Sequence, residues 1–274
     1  MNEVGLVVSR YYENLKWIEE ITSNIDVYVY DRYGDSPGMG VPHAVSWATP
    51  KDRSEQLGGL DIEKCKQNGI NLQVISIPDD PGFEASTYVY HMYSKYDVLN
   101  DYTVFVQGHP HEYVANIINI LNDPASIKHT TYVESDIQGF TPAIRHVSDQ
   151  LIDFEPFTDN LARLHIDQDY QWSQYQHNFN SVPWFEFCKD MTGSTFDIDG
   201  NWRPPANWRF GAGNQFVASK NAIRTNDIEY YKRLQHFINT YMDPNGENRP
   251  EWQQLNQGPN IMEGIWQYIF KLNN

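Results

Sequence analysis

Four apolar or β-branched residues, Thr103 to Val106, run straight into Gln107-Gly108-His109-Pro110-His111-Glu112. A buried strand that ends in a small polar residue, a glycine and two histidines makes either an ordinary turn or the floor of a site. His109 and His111 stand two apart around a proline. Alternate side chains of an extended segment point the same way, so both imidazoles would face one ligand. With Glu112 they invite a metal, but no third ligand is placed by sequence. Hydrogen bonding to substrate hydroxyls or phosphate is the favoured chemistry.

Other strand ends carry comparable residues. Arg10 directly follows Val4–Ser9 and supplies a fixed positive charge suited to phosphate; the plain alternative is a surface arginine paired with a carboxylate. Asp31 closes the run "VYVY" and would accept from a nucleobase or ribose, or serve as turn chemistry. In "PGFEASTYVYH", Gly82 lies in a loop and Glu84, Ser86 and Thr87 at a helix start. Such a start holds a ligand oxygen or phosphate, or Ser86 simply caps it with Glu84 favouring the dipole. "FGAGNQF" has Gly211 and Gly213 near Arg209. It lacks GxGxxG and Gly-Lys-Ser/Thr, so it is neither a dinucleotide fingerprint nor a phosphate loop. Its glycines still let backbone approach a ligand.

Two acid-x-acid triplets, Asp167-Gln168-Asp169 and Asp197-Ile198-Asp199, have the spacing that holds a divalent cation on a diphosphate. That job needs the tip of a buried strand: Asp197-Ile198-Asp199 runs into Gly200-Asn201 and reads as a turn, Asp167 follows a less convincing strand, and the plain reading is favoured for both. Glu263, in "GPNIMEGIWQYIF", lies off the expected buried stripe of Ile261, Ile265, Tyr268 and Ile269. It is either a solvated helix carboxylate or a general base where the helix start faces the sheet edge.

Positioning these groups requires a sheet. "VGLVVS" is a short, nearly continuous apolar run, the mark of a strand covered on both faces, and "IDVYVYD", "INLQVISIPDD" after the Gly69 break and "YTVFVQG" read as three further strands. "ENLKWIEEI" follows the first, with Leu15, Ile18 and Ile21 on one helical face. A helix of about three turns is expected in "PGFEASTYVYHMYSKYDVL". The succession strand, helix, strand, strand, helix, strand predicts an α/β fold with a mostly parallel central sheet flanked by helices. Ligands of such sheets bind beyond the carboxyl ends of the strands. The middle, roughly 123–209, is rich in Trp, Tyr, Pro, Asp and Asn and predicts long ordered loops of functional use. "GAGNQFVASKNAI" predicts a short strand and helix start. "IEYYKRLQHFINTYM" is an amphipathic helix with Ile228, Tyr231, Leu234 and Ile238 on one stripe. One domain over 1–274 is expected.

Bulk properties narrow the partners. Net charge is −16 over 274 residues, which repels phosphate backbones and anionic lipid. Any phosphate-bearing ligand must meet a local positive potential. Two cysteines, Cys65 and Cys188, build neither a disulfide framework nor a four-thiolate zinc site; both read as buried thiols of a reducing compartment. No run approaches ~18 apolar residues, so no membrane span is expected, and the N-terminus does not resemble a secretory signal. A soluble, cytoplasmic protein that binds no nucleic acid is expected. The aromatic share is 14%, with 18 Tyr and 8 Trp, suited to cores and to stacking on sugars and bases.

"LVVSRYYENLKWIEE", "VYVYDRYG", "GFEASTYVYHMYSKYDVLNDYTVFVQGHPHEY", "FGAGNQFVASKNAI" and "MEGIWQYIF" together resemble a family of proteins from fungi and large DNA viruses that is similar to GT-A glycosyltransferases. The likeness thins between about Tyr113 and Trp208. "GAGNQFVAS" is also similar to the "GSQW…LS" element of metal-independent enzymes such as peptide xylosyltransferases. The resemblance implies a GT-A-like domain, with a nucleotide-binding half over 1–112 and an acceptor-binding and catalytic half over 113–274. A nucleotide-sugar donor would lie over the sheet edge. Ser9, Arg10 and Asp31 would bind the nucleotide, with Glu84 and Thr87 beside the ribose or base. Gln107-Gly108-His109 would occupy the slot where most GT-A enzymes carry acid-x-acid.

Diphosphate charge would then be met by His109, Arg10 or Arg209, with Gly213 close to the donor; manganese or magnesium is the alternative. Glu263 would match the residue that deprotonates the acceptor hydroxyl in an inverting displacement. His111, Trp172, Trp184, Trp202 and Trp208 would line the acceptor groove for a glycan or glycoprotein. The analogy suggests UDP-xylose as donor and, for a viral enzyme of the chlorovirus type, capsid glycans as product. Two rivals remain: a non-catalytic carbohydrate-binding protein on this fold, and a metal-assisted hydrolase using His109 and His111.

Overall fold

The structure is a computed structural model. It describes residues 2–11, 13–31, 57–77, 83–129, 144–146, 151–154, 208–211, 214–242, 262, 266, 269 and 270. The strands are β1 (Val4–Arg10), β2 (Asp26–Asp31), β3 (Asn71–Ser76), β4 (Tyr102–Gln107), β5 (Ile144–His146), β6 (Leu151–Phe154), β7 (Trp208–Gly211) and β8 (Phe216–Ser219). The α-helices are α1 (Ile62–Gln67), α2 (Phe83–Ser94), α3 (Ile117–Asn122), α4 (Pro124–His129), α5 (Lys220–Ile223) and α6 (Ile228–Met242).

Six strands form one sheet in the order β3-β2-β1-β4-β8-β5, and β6 pairs with β7 in a separate ribbon. The first four strands are mutually parallel, and β8 runs antiparallel to β4. The expected α/β architecture, mostly parallel and flanked by helices, is therefore present. All seven residues of β1 are buried because the sheet is covered on both faces. On one, Leu6, Val8, Val27, Val29, Val104 and Val106 meet Leu15, Ile18 and Ile21, Cys65 of α1 and Ile117, Ile120 and Leu121 of α3. On the other, Val7, Tyr28, Tyr30 and Phe105 meet α2, α6, Met262, Trp266, Ile269 and Phe270. A side-chain period of two sends Leu6 and Val8 one way and Val7 the other. Burying each such side chain contributes about 1.5–3 kcal/mol.

Local chemistry accounts for the elements. Ala85, Tyr88, Val89 and Met92, at helical spacing, form the buried face of α2. The α1 helix is capped at one end by Asp61, whose side chain accepts from the Lys64 N–H. It stops in a Schellman turn: Gly69 has φ +83°, its N–H reaches the Lys66 carbonyl, and the Ile70 N–H reaches that of Cys65. This short helix between β2 and β3 is not apparent in the sequence, where only Ile62 and Cys65 break its polarity. Leu15, Ile18 and Ile21 are all fully buried, but the segment Lys16–Glu20 is a 3₁₀ helix. Spacing of three fits 3.0 residues per turn as well as 3.6. In α6, Tyr231, Leu234 and Ile238 are buried as expected, while Ile228 is half-buried. Of the anticipated C-terminal stripe only Ile269 is described, and it packs with Met262, Trp266 and Phe270; Ile261, Ile265 and Tyr268 lie outside the described residues. Ser86 does not cap α2. It is buried inside the helix and accepts a hydrogen bond from Gln235 of α6.

Opposite the strand tips, the Asp26 carboxylate gathers four donors. Oδ1 accepts from the side chains of Asn2 (3.1 Å) and Asn71 (2.9 Å). Oδ2 accepts from the Asn2 backbone N–H (3.0 Å) and the Asn100 side chain (2.7 Å). Gly5 leaves room for this knot, since a Cβ there would fall 2.4 Å from Asn100 Oδ1. Asp26→Ala would remove the shared acceptor of Asn2, Asn71 and the buried Asn100 amide. It should lower stability by about 3 kcal/mol or more, read as a drop in the urea midpoint at unchanged slope.

His91, fully buried on α2, shares a 2.9 Å hydrogen bond between Nδ1 and the Tyr30 hydroxyl. Burial first, then the Lys95 charge, lowers its pKa from 6.5 to about 3. The unfolded chain therefore binds the proton more readily between those values. This contribution to stability is intact above pH 6.5 and is lost as pH falls toward 3, at about 1.4 kcal/mol per pH unit. The fall in melting temperature between pH 7 and pH 4 should be visibly shallower in His91→Gln than in the parent chain.

Candidate functional site

The connections β1→β2→β3 build outward on one side of β1, and β4 then returns to its other side. Such a reversal opens a crevice beyond the carboxyl ends of the two central strands. Here those ends are Ser9-Arg10 and Gln107-Gly108-His109, held side by side by the Ser9–Gln107 register. Asp31 lies alongside as the partner of Arg10. The residues that open the sequence analysis thus share one edge of the sheet.

Arg10 is the last residue of β1, buried rather than free at the surface. Its Nη1 lies 2.7 Å from Asp31 Oδ1, and its Nε donates to the Glu13 carbonyl at 2.9 Å. Its charge is therefore met by Asp31, and what it gives a ligand is an oriented carboxylate. Ser9 and Thr87, both buried, bond each other through their hydroxyls at 3.0 Å, which ties α2 to β1 below the edge. Glu84, in the first turn of α2 and half-buried, accepts at Oε1 from Gln107 Nε2 (3.0 Å) and Asn214 Nδ2 (3.1 Å).

Gly108 is needed for its lack of a side chain. A Cβ there would lie 2.6 Å from Glu13 Oε2 and 3.0 Å from Glu13 Cβ, and that same oxygen accepts from the Tyr11 N–H. The Gly108 carbonyl accepts from the Trp17 indole at 2.9 Å. His109 and His111 are not in an extended run: Pro110–Glu112 is a 3₁₀ turn, as proline at the first position favours. The turn still leaves the imidazole centroids 6.0 Å apart, with His111 edge-on to Trp17 at 5.8 Å. Burial, and then neighbouring His109, lower the His111 pKa against an opposing pull from Glu20. His111 thus favours the neutral ring, suited to hydrogen bonding. An open cavity of about 630 Å³ adjoins this turn, lined by His109, His111, Trp17, Glu13 and Lys16 among others. Among the described residues, no three His, Cys, Asp or Glu side chains are grouped to hold a metal ion.

Cys65 is buried, as expected, and burial with the nearby Glu19 and Asp61 raises its thiol pKa to about 11. Arg209 and Trp208 lie in β7, where Arg209 pairs in register with Asp153 of β6. Glu263, Gly213, Trp172, Trp184, Trp202, Cys188 and both acid-x-acid triplets lie outside the described residues. Asn214 and Trp266 were missed by sequence reasoning. Asn214 has φ +57°, a conformation asparagine tolerates better than most residues, and its Oδ1 accepts from the Trp266 indole at 2.7 Å. The "Gly-Ala-Gly-Asn" composition was the available signal, since such clusters mark left-handed backbone. No helix among the described residues is long and apolar enough to cross a membrane.

The chain belongs to the family described as protein of unknown function (DUF3431), whose model matches residues 67–274. No curated protein and no solved structure matches it. The matched span includes Glu84, Gln107 and Asn214 and begins after β1 and β2.

Arg10→Met would take from the Asp31 carboxylate and the Glu13 carbonyl the donor they share. A loss of about 2 kcal/mol is expected from removing one partner of a charge-assisted, partly buried pair. Arg10→Lys should recover less than half, because one ammonium cannot reproduce the Nε and Nη directions together. Equilibrium urea unfolding of the three proteins checks both statements.

Proposed function

We infer that this member of the DUF3431 family is a glycosyltransferase of GT-A-like fold, moving a sugar from a nucleotide diphosphate donor to a glycan hydroxyl. The observation that carries this reading is the reversal of strand order between β1 and β4, which gathers Arg10, Asp31, Glu84 and Gln107-Gly108-His109 along one edge. In doubly wound sheets the nucleotide lies in that crevice, and an acidic residue about 20 positions beyond the first turn accepts from the ribose. Asp31 ends β2, 21 residues after Arg10, and Arg10 fixes its orientation. The antiparallel β8 beside β4 suits the GT-A analogy, as does the replacement of acid-x-acid by Gln107-Gly108-His109. With Arg10 engaged by Asp31, His109 and Arg209 are the groups left from the expected set to face the diphosphate.

The reaction is a single displacement at the anomeric carbon. The acceptor oxygen forms a bond to C1 as the bond from C1 to the diphosphate oxygen breaks. The electron pair leaves with the diphosphate, and the acceptor proton passes to Glu263. The aromatic middle of the chain, with Trp172, Trp184, Trp202 and Trp208, would hold the acceptor by stacking on sugar rings. UDP-xylose is the first donor to try.

A thermal-shift panel of UDP, GDP, UDP-xylose and UDP-glucose, with and without manganese, tests the reading. A ligand at 100 times its Kd stabilises the folded chain by about 2.7 kcal/mol, enough for a clear rise in Tm. UDP release from the preferred donor should fall at least 100-fold in Glu263→Gln. Glycan binding with no shift from any nucleotide would instead identify a carbohydrate-binding protein, and activity abolished by chelation and restored by zinc a hydrolase.

A further inference from the structure

One carboxylate at the reversal of the sheet is held by side chains from three other places in the chain. The Trp266 indole N–H can only donate, and it points to Asn214 Oδ1 at 2.7 Å. That fixes the orientation of the Asn214 amide, whose NH₂ must face away from the indole. It donates to Glu84 Oε1 at 3.1 Å, and Gln107 at the tip of β4 donates to the same oxygen at 3.0 Å. Both donors are neutral. Among the described residues no cation pairs with Glu84, and Oε2 accepts no hydrogen bond.

A half-buried carboxylate with one oxygen supplied by two amides has its other oxygen open to accept from a ligand. Amides whose orientation is locked by an indole and by a left-handed backbone hold that open oxygen in a fixed direction, which is how a binding group is preorganised. The strand order adds a direction along the ligand. Asp31 ends β2, and Glu84 is bonded to the end of β4, two strand spacings away across β1. At about 4.8 Å per spacing, that is about 10 Å. A nucleoside diphosphate whose ribose meets Asp31 would cross β1 with its diphosphate and bring the attached sugar toward β4.

We propose that Glu84 is the residue that recognises the transferred sugar, accepting a hydrogen bond from one of its hydroxyls at Oε2, with Gln107, Asn214 and Trp266 as positioning residues. The proposal rests on the nucleotide-sugar reading above and adds the group that selects the sugar. A site built to accept from a hydroxyl rejects ligands that lack it, because its polar groups are otherwise left unpaired.

The test is calorimetric binding of UDP and of UDP-xylose, UDP-glucose and UDP-galactose to the full chain, taking forward the tightest donor. In Glu84→Gln, a change of one atom at nearly constant shape, UDP affinity should stay within twofold while affinity for that donor falls at least tenfold. Trp266→Phe, which frees the Asn214 amide to turn, should lower the ratio of donor to UDP affinity at least threefold. A merely structural role would change Tm and leave that ratio alone. Parallel loss of UDP and donor binding in Glu84→Gln would overturn the assignment to the sugar and give the residue to the ribose. Unchanged binding of both would overturn it outright, as would a parent chain that binds no UDP-sugar more tightly than UDP. A parent chain that binds no nucleotide sinks the nucleotide-sugar reading itself, whereas normal nucleotide-sugar binding in Glu84→Gln sinks only the role of Glu84.

Discussion

The parallel pairing of β1 with β4 is the constraint on which the strand-tip site depends. Pairing in this register, from Val4 beside Tyr102 to Ser9 beside Gln107, brings together segments nearly a hundred residues apart. Period-two geometry makes register strict: a slip by one residue would turn Leu6 and Val8 to the wrong core. The Asp26 carboxylate supports that register from the far end by holding Asn2 before β1, Asn71 of β3 and Asn100 before β4 at one point. Starts that are pinned, and strands of six or seven residues, leave little freedom in where the tips finish. A group of polar side chains serves an apolar end, since it is satisfied in only one arrangement of the four strands.

Charge is distributed across the edge with similar economy. A chain of net charge −16 has little cationic capacity to spend on an anionic ligand. Its buried Arg10 is committed to Asp31 and to the Glu13 carbonyl. Glu84, by contrast, accepts from two neutral amides. The two carboxylates therefore differ in kind. Asp31 offers an acceptor already paired with a cation, and Glu84 one held by neutral amides. Two carboxylates at one edge are acceptors only, a chemistry that suits hydroxyl donors better than phosphate.

The central strands and α2 were legible in the sequence because burial on both faces leaves continuous apolar runs and because Ala85, Tyr88, Val89 and Met92 repeat at helical spacing. The meeting of Arg10, Asp31 and the Gln107-Gly108-His109 tip followed from parallel strands having their carboxyl ends on one side. Partnership was not legible. That Arg10 spends its charge on Asp31, that Ser9 and Thr87 satisfy each other, and that Ser86 answers Gln235 across 149 residues depend on distances that pattern does not encode. The geometry of His109 and His111 was misjudged because Pro110 starts a 3₁₀ turn where alternation assumes an extended chain. α1 was hidden by its brevity, its stability coming from the Asp61 cap and the Gly69 turn more than from an apolar stripe.

Asn214 shows why a polar site so often escapes a reading of pattern. Alone it is a residue in a glycine-rich turn, and its left-handed backbone is the only unusual thing about it. Its role comes from standing between a donor that cannot accept, the Trp266 indole, and an acceptor with no hydrogen to give, the Glu84 carboxylate. An amide is suited to that place because it presents one oxygen and one NH₂ in opposite directions; aspartate would meet Glu84 with a like charge, and serine is too short to span both. The same link joins the strand tips to Trp266. Trp266 itself packs against Phe216 and Phe270 in the core, so the direction in which Glu84 faces is set by core packing. Precision at the edge thus comes from rigidity beneath it: the Asn214 amide is held from below by the Trp266 indole.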